Sequence, residues 1–463
     1  MKSRSCASFD IICKSLHIMG RLNREFEATM RVLMLCLATL LMAVTPAGAA
    51  DHCAVGVYRF EDGGFIDVAP GAGDGLRWRL PDGRTGALTE QAGAGWTSTM
   101  GWTGRPDGTE ITLDCAQGNL RFNGRMAARI ALRVVETQFA VDGAMLAGRL
   151  LLPEGGDKVP LVVLVHGAER TAARQSYALQ RMFPAAGIAA FVYDKRGTGA
   201  STGHYTHDFA TLAADAVAAM AEARRLAGKR VTRAGYQAGS QGGWVAPLAA
   251  RMEPVDFVIV SFGLAVSPAA AEHELLATDM ARAGFGAAET KKALELSQAI
   301  ETLIDSNFQS GYERIAELRS RYSPEPWFSK ARGSVVAPVL AMDEAQLRQV
   351  GPGIAPGISL YYDPMPVLRN LTVPQLWVLA GDDAVAPPGE TMRRLAYLTA
   401  AGRHVTSALY PGADHGLYLY ETYASGERVS TRAPDGYFTM MRDFIQEGRI
   451  KGNYGATLAG PNP

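Results

Sequence analysis

Three side chains, far apart in the chain, are of the types needed to break an acyl bond. Ser240 sits in Ala238-Gly239-Ser240-Gln241-Gly242-Gly243, after an apolar stretch and at the start of a helical one. A serine on such a strand-to-helix turn is held clear of the helix, with its hydroxyl exposed above the sheet. The turn packs against neighbouring strands, so small residues must flank the serine on both sides. Gly242 meets that need, and Ala238 meets it with one additional methyl group. A serine hydroxyl is a weak nucleophile without a base. His415, in Tyr410-Pro411-Gly412-Ala413-Asp414-His415-Gly416, is the candidate base. The base in turn needs an acid to fix its tautomer and steady its positive charge. Asp383, in Gly381-Asp382-Asp383-Ala384-Val385-Ala386-Pro387, is the expected acid because of its Asp-x-x-x-Pro spacing, with Asp382 as the alternative. Asp414 reads as a loop-shaping residue.

The chemistry also needs donors for the oxyanion that forms when the serine attacks. The backbone N–H groups of Gln241, after the serine, and of Ala168, in His166-Gly167-Ala168, are the expected pair. His166 reads as structural rather than as a second base. The segment Asp194-Lys195-Arg196-Gly197-Thr198-Gly199-Ala200-Ser201 lacks a full phosphate-binding glycine pattern, so it reads as a structural turn with an internal Asp/Arg network. His204, His207 and Asp208 lack partners at metal-ligand spacing and read as an exposed loop. No cofactor and no metal are expected.

These residues need elements to converge them. Leu161–Gly167 is a continuous apolar run, as expected of a strand buried on both faces. Helical stretches near 173–186, 209–228 and 241–251 alternate with strands at 188–194, 233–237 and 256–263. That rhythm demands a mostly parallel sheet with right-handed crossovers. It breaks from about 267 to 368, which is helical in pattern, and resumes with a strand at 374–381, a helix at 390–400, a strand at 404–410 and a last helix at 437–447. An insertion of this kind is expected over the C-terminal ends of the strands, where such sheets bind ligands. Each of the three candidate residues follows a strand, so they can meet at one end of the sheet.

Residues 51 to about 125 have another character. Short alternating runs are separated by turns such as Asp62-Gly63-Gly64, Pro81-Asp82-Gly83 and Pro106-Asp107-Gly108, which predicts a small β domain. Trp78, Trp96 and Trp102 fall here and are expected in packing rather than on a sugar-stacking face.

From Met30 the chain shows one Arg, an apolar run from Val32 to about Val44, and small residues ending in Ala49-Ala50. This is the pattern of a secretory signal peptide cleaved near Ala49/Ala50; an uncleaved anchor is the alternative. Met30 is a candidate true start. Cleavage would leave Cys53 and Cys115 of the five cysteines, which in an oxidising compartment are expected as a disulfide, the alternative being two free thiols. The 463-residue chain balances 46 basic against 46 acidic groups. Without residues 1–50, which hold six Lys/Arg and three Asp/Glu, 40 face 43, a net of −3. This gives no reason to expect nucleic-acid binding, and no membrane span is expected in the mature chain. The sequence fixes no oligomeric state.

The pieces HGAER, YDKRGTGAST, GYQAGSQGGW, LAGDDAVAPP and YPGADHGL, in that order, resemble the α/β-hydrolase superfamily, in its serine esterase and S33-type grouping. Within it the chain is most similar to secreted bacterial esterases with an N-terminal β extension. The resemblance covers about Ala131 to Glu447. It implies an α/β-hydrolase fold over 126–463 with a helical cap at about 267–368, after the β domain of 51–125 and the upstream segment and signal of 1–50. It also implies an exported serine hydrolase acting on a small-molecule acyl ester through Ser240, His415 and Asp383, without a cofactor. A peptidase using the same triad is a second reading, in which Glu272, Glu274 or Asp279 of the cap would grip a substrate amine, although solvated helix faces explain such residues more simply. A non-catalytic binding module is a third.

Overall fold

A computed structural model describes residues 52–91 and 95–460. The signal pattern from Met30, the cleavage site near Ala49/Ala50, and Cys6, Cys13 and Cys36 lie outside the described residues.

The N-terminal runs form strands β1 (Gly56–Phe60), β2 (Phe65–Pro70), β3 (Leu76–Arg79), β4 (Thr85–Gln91), β5 (Gly95–Met100), β6 (Ile111–Asp114), β7 (Asn119–Phe122) and β8 (Arg125–Arg129). They close into a barrel in sequence order, β1 pairing antiparallel with both β2 and β8. Closure removes the exposed edges that a small open sheet would leave. The closing strand runs past residue 125, where sequence reading ended the β domain. Inward positions such as Tyr58, Ile66, Val68, Trp78 and Leu88 make the barrel core. Trp78 is buried and donates to Ser98 Oγ at 2.8 Å. Trp102 is packed, but outside the barrel core. It is 41% exposed and lies between the Arg77 guanidinium, 4.0 Å from its ring, and Tyr418. Cys53 and Cys115 are disulfide-bonded, with Cα atoms 5.6 Å apart.

The second part begins with the hairpin β9 (Leu132–Val141) and β10 (Ala144–Pro153), then β11 (Val159–Val165). Short helices α1 (Ala173–Ser176) and α2 (Leu179–Ala185) lead to β12 (Ala189–Tyr193), α3 (Phe209–Ala227), β13 (Val231–Gly239), α4 (Gly242–Met252) and β14 (Phe257–Ser261). The stretch expected as one helix near 173–186 is thus two short ones. Strands β11 to β14 are almost wholly buried, as their unbroken apolar runs require. Helix α3 starts on Asp208, whose carboxylate accepts the Thr211 amide at 2.7 Å. Its small buried face of Ala213, Ala216, Ala219 and Ala223 lets it lie close on the sheet.

The inserted segment holds α5 (Pro268–Arg282), α6 (Ala287–Asp305), α7 (Tyr312–Tyr322), α8 (Val336–Leu340), α9 (Glu344–Ile354) and α10 (Met365–Asn370). Among its described residues there is no strand. Leu296, Ile300, Leu318 and Trp327 form part of a core of its own, separate from those of the sheet. The sheet resumes with β15 (Gln375–Ala380), α11 (Gly389–Ala400) and β16 (Val405–Tyr410). The short β17 (Ala413–Asp414) pairs with β18 (Tyr418–Thr422), which pairs with β19 (Arg428–Arg432). Helix α12 (Tyr437–Glu447) and β20 (Thr457–Ala459) end the fold. The main sheet has nine strands in the order β20-β16-β15-β14-β13-β11-β12-β10-β9, and β12 to β16 run parallel.

The barrel is docked, not tethered. Asp67 of β2 takes a buried pair from Arg181 of α2, with contacts of 2.5 and 3.2 Å. Phe65 meets Phe438 edge-on at 5.8 Å. The hairpin β18–β19 reaches back to the barrel, where Ser430 O accepts the Trp102 amide at 2.9 Å. No helix among the described residues is long and apolar enough to cross a membrane.

Candidate active site

Strand β13 delivers Ser240 to the turn before α4, and the serine backbone is forced to φ 51°. A non-glycine residue in this region is strained and persists only where the surroundings over-determine it. Here the Ser240 amide donates to Ser261 O at 3.0 Å, and Ser240 O accepts the Gly243 amide at 2.8 Å. A side chain at Gly242 would come within 2.5 Å of Val165 O, so only glycine lets α4 start this close to β11. Ala238 is fully buried, and its methyl fits in the space that Gly242 leaves.

His415 follows β17. Its Nε2 lies 3.1 Å from Ser240 Oγ, and its Nδ1 lies 3.0 Å and 3.1 Å from the Asp383 carboxylate oxygens. Asp383 Oδ1 also accepts the amides of Val385 and Ala386 at 2.9 and 2.7 Å, which fixes the acid in the loop after β15. The neighbouring Asp382 turns elsewhere and accepts the Tyr420 hydroxyl at 2.8 Å. Asp414 shapes the loop, taking the amides of Ala384 and His415 on Oδ1 and Arg428 on Oδ2. Burial resists a charge on His415, but the Asp383 carboxylate outweighs it and the imidazole pKa rises above its ordinary 6.5.

The loop after β11 carries Ala168 and that after β13 carries Gln241. Neither amide donates to another group among the described residues. The Ala168 carbonyl accepts the Tyr205 hydroxyl, and the Gly167 carbonyl accepts Lys195 Nζ, so the loop is held from behind. His166 is buried, with its ring edge-on to Tyr177. Asp194 accepts the Arg174 amide and Nε, each at 3.0 Å, while Arg196 pairs with Asp215 at 2.5 and 2.8 Å. The 194–201 segment is thus a turn, but its Asp/Arg pairs are not internal as expected: each reaches outside it, to Arg174 and to Asp215.

Two readings need correction. His207 is not in an exposed loop. It is buried, its Nδ1 lies 2.6 Å from Gln241 Nε2, and its amide donates to Pro356 O of the inserted segment at 2.7 Å. Burial, with Lys195 and Arg170 nearby, pushes its pKa down to about 3. It braces the residue after the serine, a long-range role that sequence spacing does not reveal. The acids of the inserted segment are neither free to grip an amine nor simply solvated. Glu272 is buried and accepts the Ser334, Val335 and Val336 amides at the start of α8. Glu274 accepts the Glu390 amide at the start of α11, and Asp279 accepts that of Gly333. All three occupy orphan backbone donors, two of them at helix starts.

A cavity of about 370 Å³ is lined by Gly239 and Gly416, the chain neighbours of Ser240 and His415, by Phe262, and by Arg79, Leu80 and Thr85 of the barrel. The Phe262 ring meets His415 edge-on at 5.1 Å. Sequence reading missed the barrel's share of this wall. Another concavity of about 380 Å³, lined by Asp363, Arg369, Glu390 and Arg393, holds none of these residues. The described residues contain one cluster of metal-capable side chains, His52 with Cys53 and Cys115, and its cysteines are bonded to each other.

The nine-stranded sheet and its flanking helices define an α/β-hydrolase fold. Residues 156–314 match the model of the serine aminopeptidase S33 family. No curated protein matches. Among solved structures, a Pyrobaculum calidifontis esterase is similar over 69% of this chain and 86% of its own, at 16% identity and a TM-score of 0.40. An acylaminoacyl peptidase of Pyrococcus horikoshii is similar over 80% of this chain and 55% of its own, at 13% identity and 0.40. Brefeldin A esterase, a bacterial homologue of human hormone-sensitive lipase, is similar over 66% and 73%, at 18% identity and 0.37. Likeness at this level carries no argument about substrate.

Proposed function

We propose that this protein is an exported serine hydrolase that cleaves carboxylic esters through Ser240, His415 and Asp383. The observation that carries the reading is the His415 imidazole, within hydrogen-bond reach of the Ser240 hydroxyl on one nitrogen and the Asp383 carboxylate on the other. Ser240 Oγ attacks the ester carbonyl carbon while His415 Nε2 takes its proton. Asp383 keeps Nδ1 protonated and steadies the imidazolium. The carbonyl oxygen, now an oxyanion, meets the Gln241 and Ala168 amides, a contribution of about 2.7–4 kcal/mol per donor in such sites. The alcohol leaves with the proton from Nε2. Water then repeats the sequence on the acyl-serine, giving the carboxylic acid and restoring Ser240.

Export is supported by the signal pattern from Met30 and by the Cys53–Cys115 disulfide, which suits an oxidising compartment. The second reading, a serine peptidase, is favoured by the S33 aminopeptidase description over 156–314. Against it, Glu272, Glu274 and Asp279 already accept backbone amides, so the cap offers no free acid among them for a substrate ammonium. Parallel rates on acyl esters and aminoacyl amides test the choice. Ester turnover in excess of amide turnover supports the first reading, and the reverse supports the second.

A further inference from the structure

We propose that the N-terminal barrel is the far wall of the substrate cavity, and that Arg79 there selects esters bearing a carboxylate remote from the scissile bond. This rests on the serine hydrolase reading and names its substrate class. The cavity is lined by Gly239 and Gly416, which flank the serine and histidine, by Met182, Phe438 and Met441, and by the barrel. Arg79 lies at that barrel end. Its Nη1 is buried and has no hydrogen-bond partner. The carboxylate within 4 Å of it among the described residues is Asp67, at 3.7 Å, and Arg181 already holds Asp67 through two contacts. Two guanidinium groups therefore share one carboxylate.

Arg77 adds a third cation on the same strand. Burial, and then the charge of Arg79, pulls its pKa down to about 10. The other charged side chain lining the cavity is Glu169. Burial raises its pKa, but His166, the Tyr177 hydroxyl and Lys195 overcome this and hold it at about 2. Burial disfavours a charge on His166, so Lys195 is the cation that counters Glu169, while Arg79, with Arg77 beside it, makes the barrel end positive. A buried guanidinium N–H without an acceptor is costly. Nη1 itself is closed to the cavity, but the Arg79 side chain is 22% exposed and lines it, and a ligand carboxylate there would pair with the open part of the guanidinium fork. The apolar stretch in between suits a short hydrocarbon spacer.

The test compares kcat/KM for p-nitrophenyl monoesters of glutaric and suberic acid with their distal methyl esters. A second arm carries the carboxylate on the alcohol side, as acetyl esters of hydroxybenzoates, against the matching methyl benzoates. The inference expects the native protein to prefer the anionic member of one arm by about tenfold, the scale of a charge-assisted hydrogen bond. It expects Arg79→Gln to bring that ratio close to one and Arg79→Lys to restore part of it. A native ratio near one in both arms would overturn it, and so would a ratio that Arg79→Gln leaves unchanged. The native measurement stands even if a variant fails to fold. Neutral esters turned over without preference defeat only this inference. Absence of all ester turnover, with Ser240 unreactive to a fluorophosphonate, defeats the underlying reading as well.

Discussion

The carbonyl oxygen of Gly83 in the barrel accepts the amide of Ala433, 2.9 Å away, just beyond the hairpin that follows His415. Only one short hairpin separates the candidate base from this contact. The barrel is thereby a brace for the loop that carries His415 and also lines the cavity next to it. Gly83 has φ +90°, and an added side chain would stand 2.2 Å from Ala433 O. Gly83→Ala should therefore cost about 1–3 kcal/mol through strain and clash. Gly108→Ala, at φ +72° with nothing within 4 Å, should cost about 1 kcal/mol. Thermal unfolding of the two variants checks the difference, and ester turnover should fall more in the first.

The buried Asp67–Arg181 pair joins the same two parts. Removing Arg181 leaves the buried Asp67 carboxylate with only Arg79, 3.7 Å away and not hydrogen-bonded to it, as counter-charge. Arg181→Ala should destabilise the protein by about 3–5 kcal/mol. Denaturant titration reads the loss, and Asp67→Asn with Arg181→Met together should recover much of it.

The pH profile of kcat/KM should rise with pH through the His415 titration, since the base must be neutral to accept the serine proton. That limb should sit above the ordinary histidine value of 6.5, because the effect of Asp383 outweighs burial. In Asp383→Asn the raising charge is gone, so the imidazole titration followed by NMR should move to lower pH. Turnover should fall on the order of ten-thousand-fold.

Reduction of the Cys53–Cys115 bond reopens a separation of 62 residues. The chain-entropy model puts the loss at about 4 kcal/mol. A dithiothreitol-dependent fall in the unfolding midpoint, absent in a Cys53→Ser/Cys115→Ser variant, checks it.

Much of this was legible in the chain because it is local. The serine turn is written in Gly242 and the strand before it, and the buried strands are written in runs such as Leu161–Val165. What escaped depends on partners far away in sequence. Glu272 meets Ser334, 62 residues on, and Glu274 meets Glu390, 116 residues on. Helical periodicity shows only that such residues share a face. His207 looks exposed in its polar surroundings until Gln241 and Pro356 cover it. Barrel closure by β8 and the hairpin β18–β19 rest on pairings of strands only five residues long, too short for their alternation to mark a partner.

The most direct measurement is fluorophosphonate labelling with peptide mapping, run beside hydrolysis of a neutral p-nitrophenyl ester, on the native protein and on Ser240→Ala. One label on Ser240, ester turnover in the native protein, and loss of both in the variant are the predicted result. Full ester hydrolysis by Ser240→Ala, or labelling at another residue with Ser240 unmodified, would contradict it.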